Sequence, residues 1–156
     1  MSDSIGPGHI RLARPGDAGA LAAIDSLVNV RPWSPGQFEG ACSGVTEPGE
    51  TALVVDWKHR AQGFVVFSRV IDEGCIHNIA VHPQCQGGGL GSSLLEAALA
   101  ALKLGGAVCC YLEVRASNAA ARALYQKFLF QVDGMRKNYY PAADAREDAV
   151  LMSKRL

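Results

Sequence analysis

Gln86-Gly87-Gly88-Gly89-Leu90-Gly91 follows directly on the apolar run Ile79-Ala80-Val81 and leads into the helical stretch Leu90 to Leu104. An apolar strand that turns through glycines into a helix aims backbone N–H groups and the positive helix end at one point, the arrangement by which proteins hold a pyrophosphate. The stretch therefore predicts strand, cradle and helix in that order, with a phosphate-bearing ligand on the cradle. Two familiar cradles are excluded by spacing. G-x-x-x-x-G-K-[ST] is absent, and G-x-G-x-x-G fails because Ser92 stands where the third glycine would fall. What remains is Q-x-x-G-x-G, which alone is as often a plain connection as a binding loop.

Working outward, residues 1 to 8, with Gly6-Pro7-Gly8, read as a flexible leader, and 9 to 156 as the folded domain. His9 to Arg14 alternates as a first strand does. Asp17 is placed to cap a helix with apolar Leu21, Ile24 and Val28, and Ser34-Pro35 carries the cap and first-turn proline of a second helix. Ala52 to Trp57 and Gly63 to Val70 form an expected antiparallel hairpin around Lys58-His59-Arg60, after the Gly44 to Gly49 loop. Ile76 to Val81 feeds the glycine loop, and Gly105-Gly106 ends the helix that follows. Val108 to Val114 lacks polar alternation and is expected to be a strand buried on both faces, followed by a helix from Asn118 to Phe128. Strands at about Phe130 to Arg136 and Ala149 to Ser153 close the chain, with Tyr139 to Glu147 as the loop between them. No linker or repeat divides this order, so one α/β domain with a mixed sheet is predicted.

A chain of 156 residues with 49% hydrophobic content is long enough to bury a real core. Fifteen basic residues balance fifteen acidic ones, which gives no electrostatic reason to bind nucleic acid. No apolar stretch has the length of a membrane span, and Met1-Ser2-Asp3-Ser4 lacks the pattern of a signal peptide, so a soluble cytoplasmic protein is expected, with a monomer as the default. The five cysteines, Cys42, Cys75, Cys85, Cys109 and Cys110, make no C-x-x-C, and Cys109 and Cys110 read as small buried hydrophobes. The four histidines lack metal-ligand spacing; no metal is expected.

Further motifs decide what the loop is for. Asn78-Ile79-Ala80-Val81-x-Pro83 precedes it; Leu112-Glu113-Val114-Arg115-Ala116-Ser117-Asn118, Ala121 and Leu124-Tyr125 follow; Arg136-Lys137-Asn138-Tyr139-Tyr140-Pro141 comes next, then Glu147-Asp148-Ala149 and Met152. Together, in this order, they resemble the GNAT superfamily of acetyl-coenzyme A-dependent N-acetyltransferases, and within it the RimI-type ribosomal-protein-alanine N-acetyltransferases. The resemblance runs from Ile10 to Met152, and Pro32-Trp33-Ser34 with Phe38 fits the same subfamily. It implies a largely antiparallel central sheet flanked by helices, acetyl-CoA as co-substrate, no metal, and the N-terminal peptide of a protein, ribosomal in this subfamily, as acceptor.

The resemblance also distributes roles. Gln86, Gly87, Gly88, Gly89, Leu90 and Gly91 are the expected pyrophosphate cradle, and Ile79, Ala80 and Val81 line the pantetheine arm, with the Val81 amide aimed at the acetyl carbonyl as oxyanion donor. Glu113, a carboxylate in an otherwise apolar run, is the expected general base, with an ion pair to Arg115 as its structural alternative and Glu73 as the runner-up base. Tyr125 is the expected proton donor to the departing thiolate; Asn118 is a helix cap, a pantetheine partner or both. Arg136, Tyr139 and Tyr140 are expected to grip the peptide, with Trp33 as the opposite wall. Two positions depart from the family pattern. Glycine replaces the arginine often found at 87 or 88, which removes side-chain charge from the cradle, and Leu129 stands where glycine is usual. An enzyme acting on another protein or a small amine, and an acyl-CoA-binding module without catalysis, are the alternatives; Cys110 as an acyl-carrying nucleophile lacks a histidine partner.

Overall fold

The computed structural model describes residues 8–44, 49–141 and 146–156. Residues 1–7 of the expected leader, 45–48 of the first expected loop and 142–145 of the last lie outside the described residues. Among the described residues, seven strands form one sheet in the order β1-β2-β3-β4-β5-β7-β6. They are β1 (His9–Leu12), β2 (Glu50–Trp57), β3 (Arg60–Val70), β4 (Glu73–Val81), β5 (Cys109–Arg115), β6 (Gln131–Tyr140) and β7 (Glu147–Arg155). Neighbours run antiparallel except β4 and β5, which are parallel and joined through a helix, as a parallel crossover requires.

Helices α1 (Ala18–Val28) and α2 (Pro35–Ser43) cover one face of β2 to β4, while α3 (Leu90–Leu104) and α4 (Ala119–Lys127) lie on the other. On α3, Leu90, Leu94, Leu95, Ala98, Leu99 and Leu102 recur at helical spacing and are all buried, each large side chain contributing about 1.5–3 kcal/mol. Helix α2 begins as the sequence indicates: Ser34 Oγ accepts from Gln37 N–H at 3.2 Å and Gln37 Oε1 accepts from Ser34 N–H at 2.9 Å. Helix α1 departs from expectation at both ends. The Asp17 carboxylate turns back to Arg14 N–H and to the Arg11 guanidinium, which holds it below the usual carboxylate range, rather than capping the helix. Val28 is exposed, and beyond Leu21 and Ile24 the last buried position of the helix is Asp25.

Strand β5 also differs from its sequence reading. Cys110, Leu112 and Val114 are buried under α3 and α4, whereas Tyr111 and Glu113 are exposed and Cys109 and Arg115 half-buried on the face that α1 and α2 do not reach. The helices cover only part of the second face, so the strand alternates after all. Cys110 is a buried hydrophobe as expected, with its thiol pushed up to about 12 by desolvation, while Cys109 is not fully buried. At the other end of the chain β6 runs on to Tyr140, so Tyr139 and Tyr140 lie in a strand rather than a loop.

Leu129 keeps the left-handed geometry that a glycine would adopt freely, at φ 67°. Phe130 N–H reaches Tyr125 O at 3.0 Å and Leu129 N–H reaches Gln126 O at 2.9 Å, which closes α4 in a glycine-type cap despite the Cβ. The leucine is 77% exposed, so its side chain returns little for the strain. Leu129→Gly is expected to stabilise the fold by about 1 kcal/mol. A thermal unfolding curve should move up by about 2–4 °C; an unchanged or lower midpoint would show that the cap carries no strain.

Candidate active site

Pairing between β4 and β5 ends at Ile76 with Leu112, after four rungs. Beyond it β4 stays on β3 as far as Val81, and β5 stays on β7 as far as Arg115. The two strands therefore part, and their inner edges face a gap. A bulge sits at the first unpaired position: Val66 pairs with Asn78 and Phe67 with Ile76, leaving His77 as the extra residue. His82 N–H donates to Gln62 O at 2.7 Å, and Ala80 pairs with Phe64 two residues earlier. Hydrogen-bonded and non-bonded pairs alternate along an antiparallel ladder, so Ile79 and Val81 turn their N–H groups away from β3 and into the gap. That orientation is what an oxyanion donor at Val81 needs. The Val81 carbonyl faces the same side and is held by Gln86 Nε2 at 3.1 Å.

Three cavities run along the parted strands. The first, about 430 Å³, lies under the glycine loop and is bounded by Ile79, Ala80 and Val81 of β4, by Gln86, Gly87, Gly89, Leu90 and Gly91, and by Asn118, Leu124 and Lys127 from the α4 side. Gly88 is the one candidate loop residue outside this lining. Gly87 and Gly89 sit at φ 84° and 86°, where side chains are strained, so the turn itself requires glycine. A Cβ at Gly91 would meet Leu124 and Val81 only at 3.7 and 3.8 Å, which leaves the first turn of α3 open to the cavity. Asn118 Oδ1 accepts from Ala121 N–H at 3.1 Å and caps α4, leaving its amide nitrogen to donate to a ligand.

The second cavity, about 310 Å³, continues from Ile79, Asn118 and Ala121 to Glu113, Tyr125, Tyr140 and Trp33. The third, about 610 Å³, opens over the uncovered sheet face between Tyr111, Asp133 and Arg136. His77, Glu113 and Tyr140 line both, and so form the seam between them. Glu113 pairs with Arg136 Nη1 at 3.3 Å. Arg115, the partner expected from sequence, instead bonds Glu147 at 3.3 Å and Pro141 O at 3.2 Å and lies 4.5 Å from the Tyr140 ring centroid, holding that ring in the site. The expected grip by both tyrosines narrows accordingly. Tyr140 lines the cavities, while Tyr139 packs edge-on to it at 5.1 Å, beneath Arg136, and lines none of the three. Glu73 sits at the far end of β4, opposite Cys109, and lines none either.

Tyr125 is 5% exposed, and burial raises its phenol well above the ordinary value. It stays protonated at any physiological pH and so has a proton to share in a hydrogen bond, but complete proton transfer from it is more uphill than from an ordinary phenol.

Three residues at the site were not singled out from sequence. Asp25, fully buried, accepts from Trp33 N–H at 2.8 Å, from Asn78 Nδ2 at 3.2 Å and from the Asn29 amide, and so ties α1, the segment before α2 and β4 together at the wall of the second cavity. A carboxylate beside Ile24 on the apolar face of α1 was the signal for it. His77 Nε2 lies 2.6 Å from Ser68 Oγ. Lys127 Nζ reaches Ser92 Oγ at 3.1 Å, across 35 positions that no local pattern links.

The acetyltransferase (GNAT) family model matches residues 20–130. The chain is 38% identical over 139 residues to the [ribosomal protein bS18]-alanine N-acetyltransferase of Escherichia coli, covering 88% of this chain and 90% of that one, and 40% identical over the same length to the enzyme of that name from Salmonella typhimurium. Among solved structures it resembles the ribosomal-protein-S18-alanine N-acetyltransferase from Escherichia coli, with TM-score 0.85 and 36% identity over 95% of this chain and 93% of that one. Ard1 from Thermoplasma volcanium superposes with TM-score 0.86 at 25% identity, covering 97% and 99%. Parted parallel strands, a glycine cradle at the mouth of the gap and near full-length identity at this level agree: the chain belongs to the acetyltransferase (GNAT) family.

Proposed function

We propose that this protein transfers acetyl from acetyl-CoA to the α-amine of an N-terminal alanine on a ribosomal protein, by direct attack within a ternary complex in the cytoplasm. The observation that carries the reading is the run of cavities from the glycine loop, through the parted strands, to Glu113 and Tyr140. Relatives of 38–40% identity named for that reaction support the acceptor.

Acetyl-CoA supplies an electrophilic thioester carbonyl. The glycine loop and the first turn of α3 hold its pyrophosphate, and the N–H edge of Ile79 and Val81 holds the pantetheine arm and receives the oxyanion. Glu113, directly or through a water, removes a proton from an ammonium of pKa about 7.7–8.0, and the neutral nitrogen attacks. As the C–S bond breaks, the Tyr125 hydroxyl hydrogen-bonds the departing thiolate, and the second proton, shed by the nitrogen as it becomes an amide, passes through water to that sulfur, so that CoA leaves as the thiol. Tyr140 and Trp33 form the walls that position the peptide. Cys110, fully buried with its thiol raised, is a poor acyl carrier, which favours direct attack.

Mass spectrometry of peptide products tests the assignment. A peptide with free N-terminal alanine should gain one acetyl group, and the same peptide blocked at the α-amine and carrying an internal lysine should gain none. At pH 7 an α-amine is far more often neutral than a lysine of pKa about 10.4. Tyr140→Ala should raise the KM for peptide several-fold more than the KM for acetyl-CoA. Efficient modification of the blocked peptide would point to a lysine or small-amine enzyme; cofactor binding without any turnover would point to a binding module.

A further inference from the structure

The loop that holds the coenzyme in this reading carries no cation of its own, because positions 87 and 88 are both glycine. Within the described residues that line the first cavity, one cationic side chain is present, that of Lys127. It comes from the last turn of α4, and its Nζ lies 3.1 Å from Ser92 Oγ, on the third residue of α3. The ammonium is thus parked beside the same helix end whose free N–H groups face the cavity. No salt bridge among the described residues involves Lys127. A lysine at a helix N-terminus adds positive charge where the helix dipole is already positive, an unfavourable placement in the free protein. The same placement becomes favourable once an anion sits between the two.

We propose that Lys127 is the pyrophosphate-binding cation of this enzyme, supplying from α4 the charge that the triple-glycine loop lacks. The inference rests on the reading of the glycine loop as the coenzyme cradle. Ser92 would hold the ammonium in register until the ligand arrives, and the lysine would then exchange a neutral hydroxyl for phosphate oxygens, a stronger, charge-assisted contact. The loop remains free to take the left-handed turns at Gly87 and Gly89, and backbone amides and side-chain charge come from separate elements.

Binding of CoA itself, followed by titration calorimetry without acceptor peptide, separates this contact from catalysis. Lys127→Gln is expected to weaken CoA binding about tenfold at low salt, equivalent to 1.4 kcal/mol, and to flatten the salt dependence of the dissociation constant. Lys127→Arg should keep most of the affinity. Gly88→Arg introduced into Lys127→Gln should restore it, since Gly88, unlike Gly87 and Gly89, is outside the left-handed region. Dephospho-CoA, which lacks the 3′-phosphate, should show the same tenfold loss. A parent protein that binds CoA equally well with and without Lys127 would overturn the inference while leaving the cradle intact, and a loss that vanishes with dephospho-CoA would move the contact to the 3′-phosphate and overturn it too. A parent that fails to bind CoA would remove the cradle reading itself.

Discussion

Glu113→Gln is expected to lower turnover of an N-terminal alanine peptide by about 5–10-fold at pH 7, where only about a tenth to a sixth of an amine of pKa about 7.7–8.0 is neutral, with CoA binding retained. The side chain is 34% exposed and its partner Arg136 is 53% exposed, so the pair contributes at most about 1 kcal/mol to stability and the amide should leave the fold unchanged. What is lost is the acceptor for the ammonium proton. The deficit should shrink as pH rises through about 7.7–8.0, because the amine then deprotonates without help. The ratio of parent to variant rate across pH 6.5–9 is the measurement. A rate undiminished at neutral pH would move the base to His77, the imidazole on the seam between the second and third cavities, rather than to Glu73, which lies at the remote end of β4.

Gly91→Glu is expected to abolish stabilisation by acetyl-CoA. In the parent, ligand at a hundredfold excess over Kd adds about 2.7 kcal/mol, or roughly 5–10 °C in Tm for a domain of this size. The new Cβ fits at ordinary contact distances from Leu124 and Val81, and a carboxylate in the first turn of α3 suits the helix dipole, so the free variant should unfold near the parent temperature. Its charge, however, projects into the cavity where phosphate is to bind. Gly91 is a cleaner position for this test than Gly89, whose φ of 86° would add backbone strain to any side chain. Equal ligand-induced shifts in parent and variant would overturn the assignment of the cradle.

Much of this architecture was legible without coordinates, for local reasons. The β4-loop-α3 unit is contiguous, its glycines lie where positive φ is needed, and the spacing of Leu90, Leu94, Leu95 and Leu102 admits one helix face. The cap at Ser34 and the hairpin of β2 and β3 were equally plain. Motif order added the family, since widely separated short matches in one sequence rarely coincide. Strand β5 misled because its apolar run gives no hint that α1 and α2 stop short of it, leaving Tyr111 and Glu113 uncovered. Tyr139 and Tyr140 misled because a neighbouring proline marks a turn but not how far the preceding strand extends.

The sequence by itself determined the order of elements, the strand-glycine-helix cradle and the presence of a carboxylate on β5, all set by short-range sterics and periodicity. Tertiary structure decided which groups meet. Glu113 faces Arg136 and not Arg115 because β7 lies between β5 and β6 in the sheet and a bulged β6 brings its end back over the site. Asp25 is buried because three amides from separate elements converge on it. Lys127 meets Ser92 because α4 packs beside the start of α3. Such contacts depend on register and on helix placement summed over the whole sheet, and a one-residue shift in either would redirect them; no pattern local to the residues involved carries that information.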